Sequence, residues 1–150
     1  MEAYRICSEA HVDGLTASGC ENRWNRGGQL VIYASGSRSL ATVEMLVRRS
    51  NILPTLNYRM MVIYFLEDES SIRHIQLKEL PDNWRTMEGR SVLQSIGATW
   101  YESMESLVLK VPSVVIPQEF NYAINTKHPL FSEHVQLASL EPYFWDRRLL

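Results

Sequence analysis

Three side chains in the first third of the chain are of types that chemistry can use: Arg23, Tyr33 and Glu44. A guanidinium grips phosphate oxygens with a planar fork of N–H donors. A tyrosine ring can be a stacking platform, although a packed sheet aromatic is the commoner use of that residue. Glu44 is the unusual one. At about 100° per residue, a helix over 40–49 groups Leu40, Val43 and Val47 in one arc, and Glu44 lies inside that arc. A carboxylate on an apolar face must find a partner, shift its pKa or serve a site. A pair with Arg48 at i+4 is the ordinary explanation, since structural pairs outnumber sites.

The segment that must position these groups, 21–49, reads ENRWNRGGQLVIYASGSRSLATVEMLVRR. It predicts a polar loop, a strand over 30–35, a turn at Gly36-Ser37-Arg38, and the helix. Ser39 suits the helix N-cap, and Arg48 and Arg49 suit its C-terminal dipole end. The strand is apolar on both faces, with Tyr33 on the side of Val31 and opposite Ile32 and Ala34. In the loop, Arg23, Arg26 and two glycines offer guanidinium groups and permissive backbone together. It is not a P-loop, because no G-x-x-x-x-G-K-[ST] occurs. Trp24 is expected to tuck into the core.

The rest of the chain supplies a scaffold. Strands are expected at 3–8, 60–66, 71–77, 107–111, 114–116, 119–125, 135–140 and 143–145, and a second helix at 90–102 despite Gly97 within it. The polar segment 11–28 is too rich in turn formers for regular structure. Trp84 should anchor the loop around it. Two clear helices among many strands, without βαβα alternation, predict an α+β domain spanning 1–150 with a curved, mixed or mostly antiparallel sheet.

Composition excludes several functions. The 150 residues are 45% apolar and 21% charged with net charge −2, so no global positive field draws nucleic acid or an anionic membrane. The longest apolar run, MMVIYFL at 60–66, is too short to span a bilayer. The opening MEAYRICSEA lacks the basic start and apolar core of a signal peptide, which makes cytoplasm the expected location. Cys7 and Cys20 form no CxxC and read as free thiols. His11, His74, His128 and His134 are scattered, so no metal site is expected. Ser113 has no G-x-S-x-G context to make it a hydrolase nucleophile.

The succession NRWNRGG, VIYAS, SLATVE, VPSVVIP with EFNYAIN, and PYFWDRRL resembles the RES domain family, from Tyr4-Arg5 to Leu149. The family is named for its Arg, Glu and Ser. The resemblance puts the Arg on Arg23, the Tyr on Tyr33, the Glu on Glu44 and the Ser on Ser113. Asn121 and Asn125 fall on its N-Y-x-x-N segment. It implies an ADP-ribosyltransferase-like fold and a toxin that depletes NAD+ by cleaving its nicotinamide–ribose bond, with water or phosphate as acceptor. NAD+ is then substrate, with no cofactor and no metal. The implied partner is an antitoxin with an Xre-like helix-turn-helix domain, and the resemblance leaves room for a homodimer.

On that reading, Glu44 stabilises the oxocarbenium ion at ribose C1, Arg23 holds the pyrophosphate and Tyr33 stacks on nicotinamide. Ser113 and Asn121 hold ribose or amide groups. Two alternatives share the pocket: an ADP-ribosyltransferase that modifies a protein, and a non-catalytic NAD+-binding module.

Overall fold

The computed structural model describes residues 1–48, 50 and 52–150. Its strands are β1 (Glu2–Ser8), β2 (Val31–Ser35), β3 (Tyr58–Phe65), β4 (Ile72–His74), β5 (Val108–Pro112), β6 (Phe120–Asn125) and β7 (Val135–Tyr143). The helices are α1 (Arg38–Leu46), α2 (Arg90–Ser103) and the single turn α3 (Phe131–His134). The strands make one seven-stranded sheet in the order β4-β5-β6-β2-β1-β3-β7, antiparallel except for the β4–β5 pair. The expected α+β class with a mixed sheet is what forms.

The sheet is two half-sheets joined at a narrow seam. β1 pairs with β3 over seven residues and β2 with β6 over five. Between β1 and β2 the only register pair is Tyr4 with Ser35. Strands that touch at one point diverge on either side of it, and the gap must be filled by something other than backbone ladder.

Strand periodicity decides what faces what. Ala3, Cys7, Ile32, Ala34, Val108, Ile124, Met61 and Ile63 point to one face and make a continuous core. The alternate residues point to the opposite face, where two smaller cores form. Val31, Leu109, Val111 and Ala123 pack under α2, around Leu93 and Trp100. Ile6, Tyr58 and Met60 pack under α1, around Ala41. Tyr33, Ser35, Asn121 and Ser113 all have the second parity, so they emerge between the two helices.

Several local expectations are corrected. The N-cap of α1 is Ser37, extended at φ −148° and ψ 161°, whose Oγ accepts from the Leu40 N–H at 3.0 Å; Ser39 is inside the helix. The buried side of α1 is Leu40 and Ala41, whereas Val47 caps the helix and is 61% exposed. Arg48 follows the helix, and the predicted end at Arg49 lies outside the described residues. Only Ile72–His74 of the 71–77 segment is strand, because Leu77–Glu79 winds into a 3-10 turn capped reciprocally by Gln76 and Glu79. Residues 114–116 bend instead of pairing, since the Ser113 hydroxyl takes the N–H groups of Val115 and Ile116. The last two predicted strands are one, running through Pro142, which sits on the edge strand β7 where a missing N–H costs no ladder bond. Trp24 and Trp84 are buried as expected.

Gly97 explains itself in three dimensions. A Cβ there would stand 1.8 Å from the Trp24 carbonyl oxygen and 2.6 Å from its carbon. The helix lacks a side chain at that point so that the loop carrying Arg23 can lie on it. In an open helix Gly→Ala stabilises by about 1 kcal/mol. Here the sign should invert: Gly97→Ala is expected to destabilise by about 1–3 kcal/mol through overpacking. A denaturation midpoint above the parent's would show that the close approach does not exist.

Candidate active site

Arg23 reaches the seam from the 20s loop. That loop closes on itself through an Asn22–Asn25 bridge and is fastened to α2. Gln94 donates its amide N–H to Glu21 Oε1 at 2.8 Å and to the Asn22 carbonyl at 2.9 Å. One turn on, Gly97 receives the Trp24 backbone. Asn25 is fully buried and donates to the carbonyls of Cys20 and Arg26, both at 2.9 Å. Its own Oδ1 accepts from the Tyr33 hydroxyl at 2.6 Å. The loop therefore reaches β2 through one hydrogen bond, and Tyr33 is fixed by it. Burial first of all pushes the Tyr33 phenol well above its ordinary pKa. Its proton is committed to Asn25, so the group it offers the cavity is the ring.

Glu44 comes from α1, whose N-terminal half is tied to β7. Arg38 forks onto Glu141, with Nε to Oε2 at 2.8 Å, and Thr42 shares a 2.9 Å hydrogen bond with Tyr143. Glu44 itself points the other way, across the seam. Its Oε1 accepts from the Ser113 hydroxyl at 2.7 Å and from Asn121 Nδ2 at 2.6 Å. Both donors are fixed in turn. Ser113 is fully buried and its oxygen already accepts from Val115 and Ile116 at 3.1 and 3.0 Å, which leaves its one proton for Glu44. Asn121 has its Oδ1 held by the Ser35 hydroxyl at 2.8 Å, which fixes which end of the amide faces Glu44. Among the described residues no hydrogen bond engages Oε2. The ordinary i+4 pair is not made, because Arg48 turns to Asn22 Oδ1 at 3.3 Å.

A cavity of about 670 Å³ opens along the seam, walled by Tyr33, Ser35, Glu44, Asn121, Arg23, Arg48 and Arg90. A smaller recess of about 410 Å³ adjoins it and shares Arg23, Tyr33, Glu44 and Asn121; its other walls include Val114, Val115 and Pro112. Both volumes are in the range of small-molecule sites. Glu44 thus stands where a polar, cationic chamber meets a more apolar one. Burial, and next the charge of Arg90, pull the Arg23 guanidinium below its usual pKa, while Glu44 acts in the opposite sense. Arg23 Nη1 is buried without a hydrogen-bond partner among the described residues. A buried, unpaired cationic donor facing a cavity is suited to an oxyanion.

All five residues singled out in the sequence as site residues meet here. Arg23, Tyr33, Glu44 and Asn121 line the cavity, and Ser113 supports Glu44 from beneath. Asn125 does not take part: it is fully buried and donates to the Tyr101 carbonyl. Arg26 is also elsewhere, bonded to Ser95 on the exterior of α2. Sequence reasoning missed Asn25, Ser35, Arg48 and Arg90. For Arg90 a signal existed: Arg90, Gln94 and Gly97 are spaced i, i+4, i+7 and so share one face of α2.

The RES domain family profile matches residues 2–146. The chain belongs to the RES domain family. It is 33% identical over 155 residues to "Toxin Res" of Yersinia enterocolitica, covering 99% of both chains. It is 30% identical over 154 residues to "Prs ADP-ribosylating toxin" of a Sphingobium species, covering 98% of this chain and 95% of that one. In fold it is similar to the M. tuberculosis MbcT–MbcA toxin–antitoxin complex, at TM-score 0.75 and 17% identity over 95% of this RES domain and 84% of that chain.

The support beneath Glu44 can be tested apart from any reaction. Ser113→Ala strips two part-buried N–H groups of their acceptor and the carboxylate of one donor. The expected loss is about 1–3 kcal/mol of folding stability, read by urea denaturation. An unchanged midpoint would mean that these bonds carry no weight.

Proposed function

We propose that this RES domain cleaves the nicotinamide–ribose bond of NAD+ and is the toxin of a toxin–antitoxin pair. The observation that carries the reading is Glu44, held by one oxygen and open at the other, beside an unpaired buried guanidinium in a dinucleotide-sized cavity. As the C–N bond breaks, its electron pair leaves with nicotinamide and positive charge grows at ribose C1 and the ring oxygen. The Glu44 carboxylate stabilises that charge. It needs no reorganisation, because Ser113 and Asn121 have already oriented it. Arg23 takes pyrophosphate oxygens, and the Tyr33 ring packs on the departing base. Water or phosphate then attacks C1 and releases a proton to solvent.

The relative named as ADP-ribosylating supports a second reading, in which the acceptor is a protein side chain. Bond cleavage is common to both, so one experiment separates them. The RES domain is incubated with NAD+, with and without inorganic phosphate, and the products are identified. Free ADP-ribose marks hydrolysis, its phosphate ester marks phosphorolysis, and labelled protein in a lysate marks transfer. Glu44→Gln should keep the fold and lose about a hundredfold to a thousandfold in rate. Intact NAD+ in every arm, or a folded Glu44→Gln variant within a few fold of the parent, would refute the proposal.

A chain that consumes NAD+ in its own cell needs restraint, and we infer that an antitoxin with an Xre-like domain supplies it by covering the cavity. A carboxylate-bearing segment could occupy Arg23, with Arg48 and Arg90 replacing Arg26 as the other cations within reach. Saturating ADP-ribose should then weaken the antitoxin's binding to the Glu44→Gln protein. Unchanged affinity would exclude direct blocking.

A further inference from the structure

Arg90 is the first residue of α2 and has no part in the cleavage described above. It is half-buried, and its Nε is enclosed without a hydrogen-bond partner among the described residues, as is Nη1 of Arg23. Both side chains wall the larger chamber. Its ion-pair partner is the exposed Glu21, whose Oε1 stands 3.9 Å from Arg90 Nη2, too far for a hydrogen bond. That carboxylate is itself bonded to Gln94, and its side chain is 61% exposed. Glu21 therefore does not satisfy Arg90.

Two like charges that wall one chamber, each with an enclosed and unused donor, are mutually unfavourable. The arrangement persists because α2 is locked to the Arg23 loop through Gln94 and Gly97, on the same helix face as Arg90. One monoanionic oxygen cannot serve both forks. A diphosphate can, since it offers two charged phosphoryl groups with several acceptors each.

We propose that Arg90 is a binding residue of this cavity, closing with Arg23 a two-guanidinium clamp on the diphosphate of the ligand. The clamp rests on the reading of the cavity as a dinucleotide site, and it fixes which end lies where. The diphosphate lies toward α2, and the nicotinamide riboside extends from it to Glu44. Arg48, exposed and bonded to Asn22, remains at the rim.

Inorganic pyrophosphate and ADP-ribose, neither of which has a bond to cleave here, are titrated calorimetrically into the unaltered chain and into Arg90→Gln and Arg90→Lys. Both probes should bind the unaltered chain. Arg90→Gln should weaken both by about tenfold to a hundredfold, the worth of one charge-assisted contact. Its thermal midpoint without ligand should be equal or higher, because a cation facing Arg23 is gone. Arg90→Lys keeps the charge and the stem but lacks the Nε donor, and should bind at least threefold more weakly than the parent. ADP-ribose binding by Arg90→Gln within twofold of the parent overturns the clamp. So does parent-like binding by Arg90→Lys, or failure of the unaltered chain to bind either probe. Pyrophosphate binding that depends on Arg90, in a chain that leaves NAD+ intact, upholds the clamp and refutes only the cleavage reaction.

Discussion

A carboxylate oxygen that accepts two hydrogen bonds across a gap in a sheet is the constraint on which this RES domain turns. α1 is anchored at one end to β7, on the far side of the seam, through Arg38 and Thr42. Glu44 Oε1 fastens the same helix to Ser113 and Asn121, at the ends of β5 and β6. The helix thereby bridges two half-sheets that share only the Tyr4–Ser35 register pair. The contact is also selective in what it leaves unused. Ser113 gives Glu44 its one proton and Asn121 one amide N–H, both to the same oxygen, so the carboxylate is bound on one side only.

The seam makes a cavity without a lid or a domain interface. Where two strands diverge from a single contact, side chains of one parity face a widening space, and in this chain those are Tyr33, Ser35 and Asn121. The loop carrying Arg23 closes that space from the side of α2, and α1 closes it from the side of β1. Few backbone ladder bonds cross the opening, so its shape depends on side-chain contacts: Tyr33 with Asn25, Gln94 with Asn22, and Glu44 with its two donors. These are single hydrogen bonds of modest net worth, each costly to leave half-made once buried. A site held this way is rigid when complete and fails as a unit.

The strands and both long helices were legible because their apolar spacing is set by the faces they bury. The strand parity of Tyr33 could be read off VIYAS alone. The family succession of motifs named Arg23, Glu44 and Ser113 but could not say what holds them, since Ser113 and Asn121 are 69 and 77 positions from Glu44 in the chain. Where local side-chain bonding competes with backbone pairing, pattern reading failed: Ser113 turns an apparent strand at 114–116 into a bend, and Ser37 takes the N-cap from Ser39. Val47 fits the apolar arc of α1 in sequence and is exposed because the helix ends there. Arg90 was hidden for another reason: its partner loop is 67 to 69 positions upstream, and α2 is otherwise an ordinary amphipathic helix.

Charge distribution draws these features together. The chain carries a net charge of −2, yet Arg23, Arg48 and Arg90 converge on one chamber whose acidic lining is Glu21 and Glu44. Glu21 is largely exposed and Glu44 spends one oxygen on neutral donors, and among the described residues neither hydrogen-bonds an arginine of the chamber. Two enclosed guanidinium donors are unpaired among the described residues, a cost that folding must offset elsewhere, in the cores beneath α1 and α2. An anionic ligand relieves that cost on binding, which makes the same feature a source of affinity. Under the proposed cleavage it would also set the orientation, with negative charge drawn toward α2 and Glu44 left facing ribose C1.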